Sequence, residues 1–130
     1  MTSMTIGTLA DQAGVSIDAI RFYERRGILA EPQRRPSGYR TYTPDDVDRI
    51  RLVKRLQALG FTLAEVTDAL RPLDAGTATC DSERWRVEAV MARLDAQLAE
   101  LRKVRRDVAQ VLDVCKAGHC PHGRQRSAKL

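Results

Sequence analysis

No stretch of the chain approaches the ~20 consecutive apolar residues needed to span a bilayer, and its first residues lack the apolar core of a secretory signal. A cytoplasmic protein with no membrane partner is expected. Catalytic signatures are missing as well. There is no Gly-rich phosphate loop, no Ser/His/Asp set and no paired carboxylates, and the two histidines, His119 and His122, lie in a loop beside cysteines. An enzyme is not expected. Cysteine is scarce, at three in 130 residues. An odd number in a compartment that keeps thiols reduced argues against a disulfide framework and for metal or redox chemistry. A chain this short builds one small core with one further element, not two independent cores.

What is present is cationic charge in one place. Lys and Arg outnumber Asp and Glu by 22 to 17, and between Arg21 and Arg40 six arginines stand against two acids, Glu24 and Glu31. A cationic stretch of this kind favours a polyanion. The same region carries helical punctuation. Thr5 to Ala13 reads as a short helix with Ile6, Leu9, Ala10 and Ala13 on one face, broken by Gly14. Ser16 caps a second helix running to Arg26, closed by Gly27, with Ile17 and Ile20 facing the core. Two short helices about a Gly-containing turn are a helix-turn-helix pattern. Pro36-Ser37-Gly38 is turn chemistry, and Tyr39, Arg40, Thr41 and Tyr42 favour a strand, so a small hairpin, or wing, follows. Thr43, Pro44 and Asp46 open a third helix ending near Leu59, where Gly60 stops it. Thr62 and Glu65 open a fourth, which is expected to end before Pro72.

A linker at 73–80 leads to a long helix over 81–115 that contains neither Gly nor Pro. Val87, Met91, Leu94, Leu98, Leu101, Val108 and Leu112 follow steps of four and three, with Arg105 in the one gap. That is a coiled-coil seam of about four heptads. Such a helix cannot fold back on so small a domain along its whole length, and a homodimer is the simplest partner. The expected organisation is a helix-turn-helix domain with the following helix pair at 1–72, the linker at 73–80, the helix at 81–115, a loop at 116–122 and a basic, disordered tail at 123–130.

The segments IGTLADQAGVSIDAIRFYERRGIL (6–29), RRPSGYRTYTPDDVDRI (34–50) and FTLAEV (61–66) resemble the MerR family of transcriptional regulators, in particular its metal-sensing, mercury-sensor-like branch. The resemblance covers about residues 4–120. It implies a mainly α fold: a winged helix-turn-helix DNA-binding domain plus a long antiparallel coiled-coil dimerisation helix. It implies promoter DNA and RNA polymerase as partners, with transcription activated by bending and untwisting the DNA. Within that fold, 16–26 is the recognition helix. Ser16, Asp18, Ala19 and Arg21 are its outward residues. Arg35, Tyr39 and Arg40 on the wing hold phosphates, which position without reading sequence, and Gly38 stands with them among the DNA-binding residues. Tyr23 and Tyr42 are divided between core packing and a hydroxyl turned to a phosphate.

Cys80 lies before the long helix, Cys115 at its end and Cys120 beyond a short turn. A fully helical 80–115 would separate its ends by ~50 Å at about 1.5 Å per residue. One chain therefore cannot close a site from Cys80 and Cys115. The antiparallel pairing implied by the family brings Cys80 of one subunit to Cys115 and Cys120 of the other, giving two three-thiolate sites per dimer. The family pattern of one cysteine before the helix and two after it points to metal sensing. Three soft sulfurs suit Hg(II). Zn(II) wants a fourth ligand, for which His119 or His122 is available, and Cd(II) and Pb(II) stand with it. Two further readings stay open: a thiol redox switch beside Lys116, and a constitutive architectural protein with a structural zinc.

Overall fold

The computed structural model describes residues 3–30, 33–34, 36 and 38–119. Among the described residues, five helices and one two-stranded ladder occur in the order α1 (Ile6–Ala13), α2 (Ile17–Arg25), β1 (Gln33–Arg34), β2 (Arg40–Thr41), α3 (Pro44–Ala58), α4 (Leu63–Ala75) and α5 (Cys80–Lys116). The chain divides into two compact units, Met1–Arg86 and Val87–Leu130. The fold is mainly α, with a winged helix-turn-helix and a long C-terminal helix.

In the first unit α1, α2 and α4 each begin on a side chain that satisfies an otherwise orphaned amide, and at α3 the Asp46 carboxylate accepts from the Thr43 amide at 2.9 Å. Thr5 accepts from the Thr8 amide at 3.2 Å, and Ser16 from the Ala19 amide at 3.0 Å. Thr62 and Glu65 bond reciprocally at the start of α4. Helix α2 ends in a left-handed Gly27 (φ 76°). Its amide reaches the Glu24 carbonyl, and the next amide, of Ile28, reaches that of Tyr23 at 2.9 Å. This reversal needs positive φ, which glycine adopts without a Cβ clash. It turns Ile28 (1% exposed) back into the core beside Leu9, Ile20, Tyr42, Ile50, Val53 and Val66.

Helix α3 packs on α1 and α4, and three of its cations anchor the helix-turn-helix. Arg51 donates to the Gln12 carbonyl at 3.0 Å and Lys54 to that of Gly14 at 3.1 Å, capping the end of α1. Arg49 donates from Nε to the Ile28 carbonyl at 2.9 Å and forks onto both oxygens of Asp74. The expected end of α4 before Pro72 is corrected here, because the helix runs through Pro72 to Ala75. Proline removes only one amide in the last turn. The turn is secured by the Arg49–Asp74 fork and by the Gly76 and Thr77 amides, which both reach back to carbonyls of that turn. The connection to α5 is thus 76–79, not 73–80.

The wing is also smaller than the strand propensity of 39–42 suggested. Gln33 pairs with Thr41 and Arg34 with Arg40, antiparallel. Tyr42 instead bridges Met4, through amide–carbonyl bonds of 2.7 and 2.8 Å, pinning the start of the chain to the base of the wing.

Thr79 and Ser82 cap α5 reciprocally at 2.9 and 3.0 Å, which makes Cys80 its first residue. The first turns of α5 belong to the first unit. Arg86 binds Glu83 at 2.8 Å and also Asp68 of α4, and its guanidinium lies 4.4 Å from the centre of the Trp85 ring.

In the second unit the seam from Val87 to Leu112 is exposed throughout, from 38% at Leu94 to 65% at Leu101. A helix that presents seven apolar side chains along one stripe has surface to bury on a partner. The helix ends at Gly118 (φ 87°). The Gly118 amide bonds the Cys115 carbonyl at 3.0 Å and the His119 amide bonds that of Val114 at 2.9 Å.

Candidate nucleic-acid interface and metal centre

On α2 the capping requirement sorts the nominated residues. The Ser16 oxygen is engaged in the cap and Ala19 is half-buried, whereas Asp18 and Arg21 are exposed. Ile17, expected in the core, is 39% exposed and is a correction to the sequence reading. The helix is only nine residues long, and burial along the 17–20–23 row covers Ile20 and Tyr23 but not its first residue. Phe22 was not nominated. It is 38% exposed, with the guanidinium carbons of Arg25 and Arg26 at 5.9 and 5.8 Å from its ring centre. Tyr23 is buried, which gives its ring a packing role.

The wing is fastened to α2 through one carboxylate. Glu24 accepts from Arg40 at 2.9 Å on Oε1 and from the Tyr42 hydroxyl at 3.0 Å on Oε2. Tyr42 is 1% exposed, so its hydroxyl serves Glu24 and not a phosphate, which corrects the second half of its divided reading. Burial, reinforced by the Glu24 carboxylate, raises the Tyr42 hydroxyl above the ordinary tyrosine value. The lock was invisible in the sequence because its members lie 16 and 18 residues apart, outside the reach of helix-spacing rules. Arg40 keeps a 40% exposed side chain beside Tyr39, which is 74% exposed. Gly38 lies in the turn at φ 90°, and its carbonyl accepts from Arg34 at 3.2 Å. Arg35 lies outside the described residues.

With Glu24 committed to Arg40 and Tyr42, Arg21 has no ion pair among the described residues. The exposed surface of α2 is therefore dominated by Arg21, Arg25 and Arg26, an arrangement suited to a phosphate backbone.

Cys80 and Cys115 are both exposed and stand at the first and penultimate positions of α5. His119 is exposed just past the end of that helix. Among the described residues no group of three His, Cys, Asp or Glu side chains gathers to hold a metal. Among the described residues, Cys80, Cys115 and His119 of one chain are not gathered into a common site. Cys120 and His122 lie outside the described residues.

Comparison with known proteins places these features in context. Residues 4–73 match the family model described as MerR HTH family regulatory protein, and residues 47–111 match MerR, DNA binding. A mercuric resistance operon regulatory protein of Bacillus cereus is 36% identical over 114 residues, covering 85% of this chain and 83% of its own. The transcription regulator PbrR691 from Ralstonia metallidurans CH34, solved in complex with lead(II), superposes with a TM-score of 0.80 at 27% identity, covering 97% of this chain and 92% of its own. The dual-function regulator MerR from Bacillus megaterium MB1, solved with mercury(II), gives 0.68 at 30% identity over 93% and 90%.

Proposed function

Because this chain belongs to the MerR family of helix-turn-helix regulatory proteins, a family of transcription regulators and not of enzymes, we propose that it is a metal-responsive regulator of promoter DNA. It binds DNA as an antiparallel homodimer. On taking up a soft divalent ion, Hg(II) before the others, it bends and untwists the promoter so that RNA polymerase can use it. No described helix is long and apolar enough to cross a membrane.

The observation that carries this reading is the placement of Cys80 and Cys115 at opposite ends of one helix whose apolar stripe lies exposed between them. A second copy laid head-to-tail covers the stripe and sets Cys80 of each subunit against Cys115 and Cys120 of the other. Sulfur donors fit a soft ion, and three of them match the trigonal preference of Hg(II). The mercury-regulator relative and the mercury-bound neighbour support that choice. The lead-bound neighbour and the exposed His119, a possible fourth donor, support Pb(II), Zn(II) or Cd(II) as the second reading. Distorting a site of this size costs ~1–6 kcal/mol. An ion that binds the distorting conformer more tightly by that amount switches transcription with little change in occupancy.

Metal content per dimer under strong reductant, paired with competitive promoter activation by Hg(II), Zn(II), Cd(II) and Pb(II), tests the proposal. Two ions per dimer and activation ordered by thiophilicity are expected. No bound ion would leave the redox switch in its place, and unfolding on chelation would leave the structural-zinc reading.

A further inference from the structure

We propose that Ile17 reads the C5-methyl group of a thymine in each half-site of the operator, an inference that rests on the DNA-reading role above. Single exposed isoleucines are ordinary on protein surfaces. This one occupies the first position of the second helix of a helix-turn-helix, whose N-terminal turn is the part that enters the major groove. Its side chain is 39% exposed, while Ile20 is fully buried one turn on. Arg21 and Arg25, four and eight residues further along, continue the same stripe of the helix, and both are exposed. Ile17 therefore leads a cationic face that is suited to DNA.

The neighbouring residues leave the apolar readout to it. The Ser16 oxygen accepts from the Ala19 amide at 3.0 Å, and Ala19 is half-buried. Asp18 is exposed and carries only acceptor oxygens. A branched aliphatic side chain can neither donate nor accept a hydrogen bond. Of the features displayed along major-groove edges, only the thymine methyl is apolar. Docking would remove both groups from water together, which is worth about fourfold in affinity for each methyl-sized group buried.

The test uses the full chain and a duplex that it selects from random sequence. Each thymine is replaced in turn by deoxyuridine, which lacks only the C5-methyl. The wild type is expected to weaken about fourfold at one symmetry-related pair of positions. Ile17→Ala is expected to be indifferent to the change at that pair while matching the wild type elsewhere. Ile17→Val, which removes one methyl and retains the branched stem, is expected to show a reduced dependence, and it decides the matter if the alanine variant folds poorly. A flat scan with the wild type, or undiminished methyl dependence in the variants, overturns the inference alone. Failure to select any preferred duplex overturns the DNA-reading proposal with it.

Discussion

Arg40 of β2 donates to Glu24 of α2 at 2.9 Å, which ties the second strand of the wing to the helix that it flanks. The Glu24 side chain is only 10% exposed, and the Tyr42 hydroxyl takes its other oxygen. A carboxylate this enclosed is stable only with its partners in place.

Removing the carboxylate should therefore loosen the wing. We predict that Glu24→Ala lowers stability by about 1–3 kcal/mol, the cost of leaving a buried donor, here the Tyr42 hydroxyl, without its acceptor, and that Tyr42→Phe costs less. Urea unfolding midpoints measure both. A wild-type midpoint for Glu24→Ala would show that the lock contributes nothing. Arg40 retains exposed donors, so Arg40→Ala should also reduce the salt slope of DNA binding by about 1. An unchanged slope would confine Arg40 to the lock.

Ser16 separates capping from base reading. Ser16→Ala should cost about 1 kcal/mol through the lost cap. Ser16→Asn, which also caps, should recover both stability and DNA affinity. If asparagine restores folding while affinity stays low, the serine hydroxyl contacts DNA after all.

Acid should weaken the joint between α4 and the start of α5. The Arg86 guanidinium lowers Asp68 and, together with Ser82, Glu83; Arg49 lowers Asp74. Carboxylates depressed on folding stabilise the native state above their unfolded values, about 3.9 for Asp and 4.3 for Glu, and lose that contribution as pH falls through the folded ones. These groups are largely solvated, so the effect is modest. Stability should decline below about pH 4, and the wild-type and Asp68→Asn unfolding curves should converge there. A constant gap between the two curves down to acid pH would refute the assignment.

Subunit mixing tests the shared thiolate site directly. Homodimers of Cys80→Ser or of Cys115→Ser should bind no ion in the three-sulfur mode. A heterodimer of the two variants should recover one site, since one subunit supplies Cys80 and the other Cys115. Metal analysis of the purified heterodimer reads the outcome, and zero recovery would mean that the ligands are not drawn across the dimer.

Local signals in the chain were enough for the helices, because caps and stops act within four residues. Thr5, Ser16, Thr43 and Thr62 open helices, and Gly27, Gly60 and Gly118 follow their ends, as their chemistry requires. The second helix of the helix-turn-helix and the small wing after it were equally legible, from Ser16 and Gly27 and from the Pro36-Ser37-Gly38 turn. Pro72 misled because a proline in a last turn removes one bond while a distant fork, Arg49 to Asp74, holds that turn in place.

Tertiary structure decided the rest, where the outcome depends on which surfaces meet. Periodicity assigned Ile17 to the core, yet the packing covers Ile20 and Tyr23 and leaves the first residue of the same row in solvent. The resemblance implied a phosphate role for Arg40 and left Tyr42 divided between packing and phosphate, and the fold brings a donor of each to Glu24, since a buried carboxylate takes the nearest donors that the hairpin delivers. Sequence by itself determined which elements form and which residues carry charge or sulfur. Only packing determined which of those groups remain available to a partner, because availability is what is left after the interior has been satisfied.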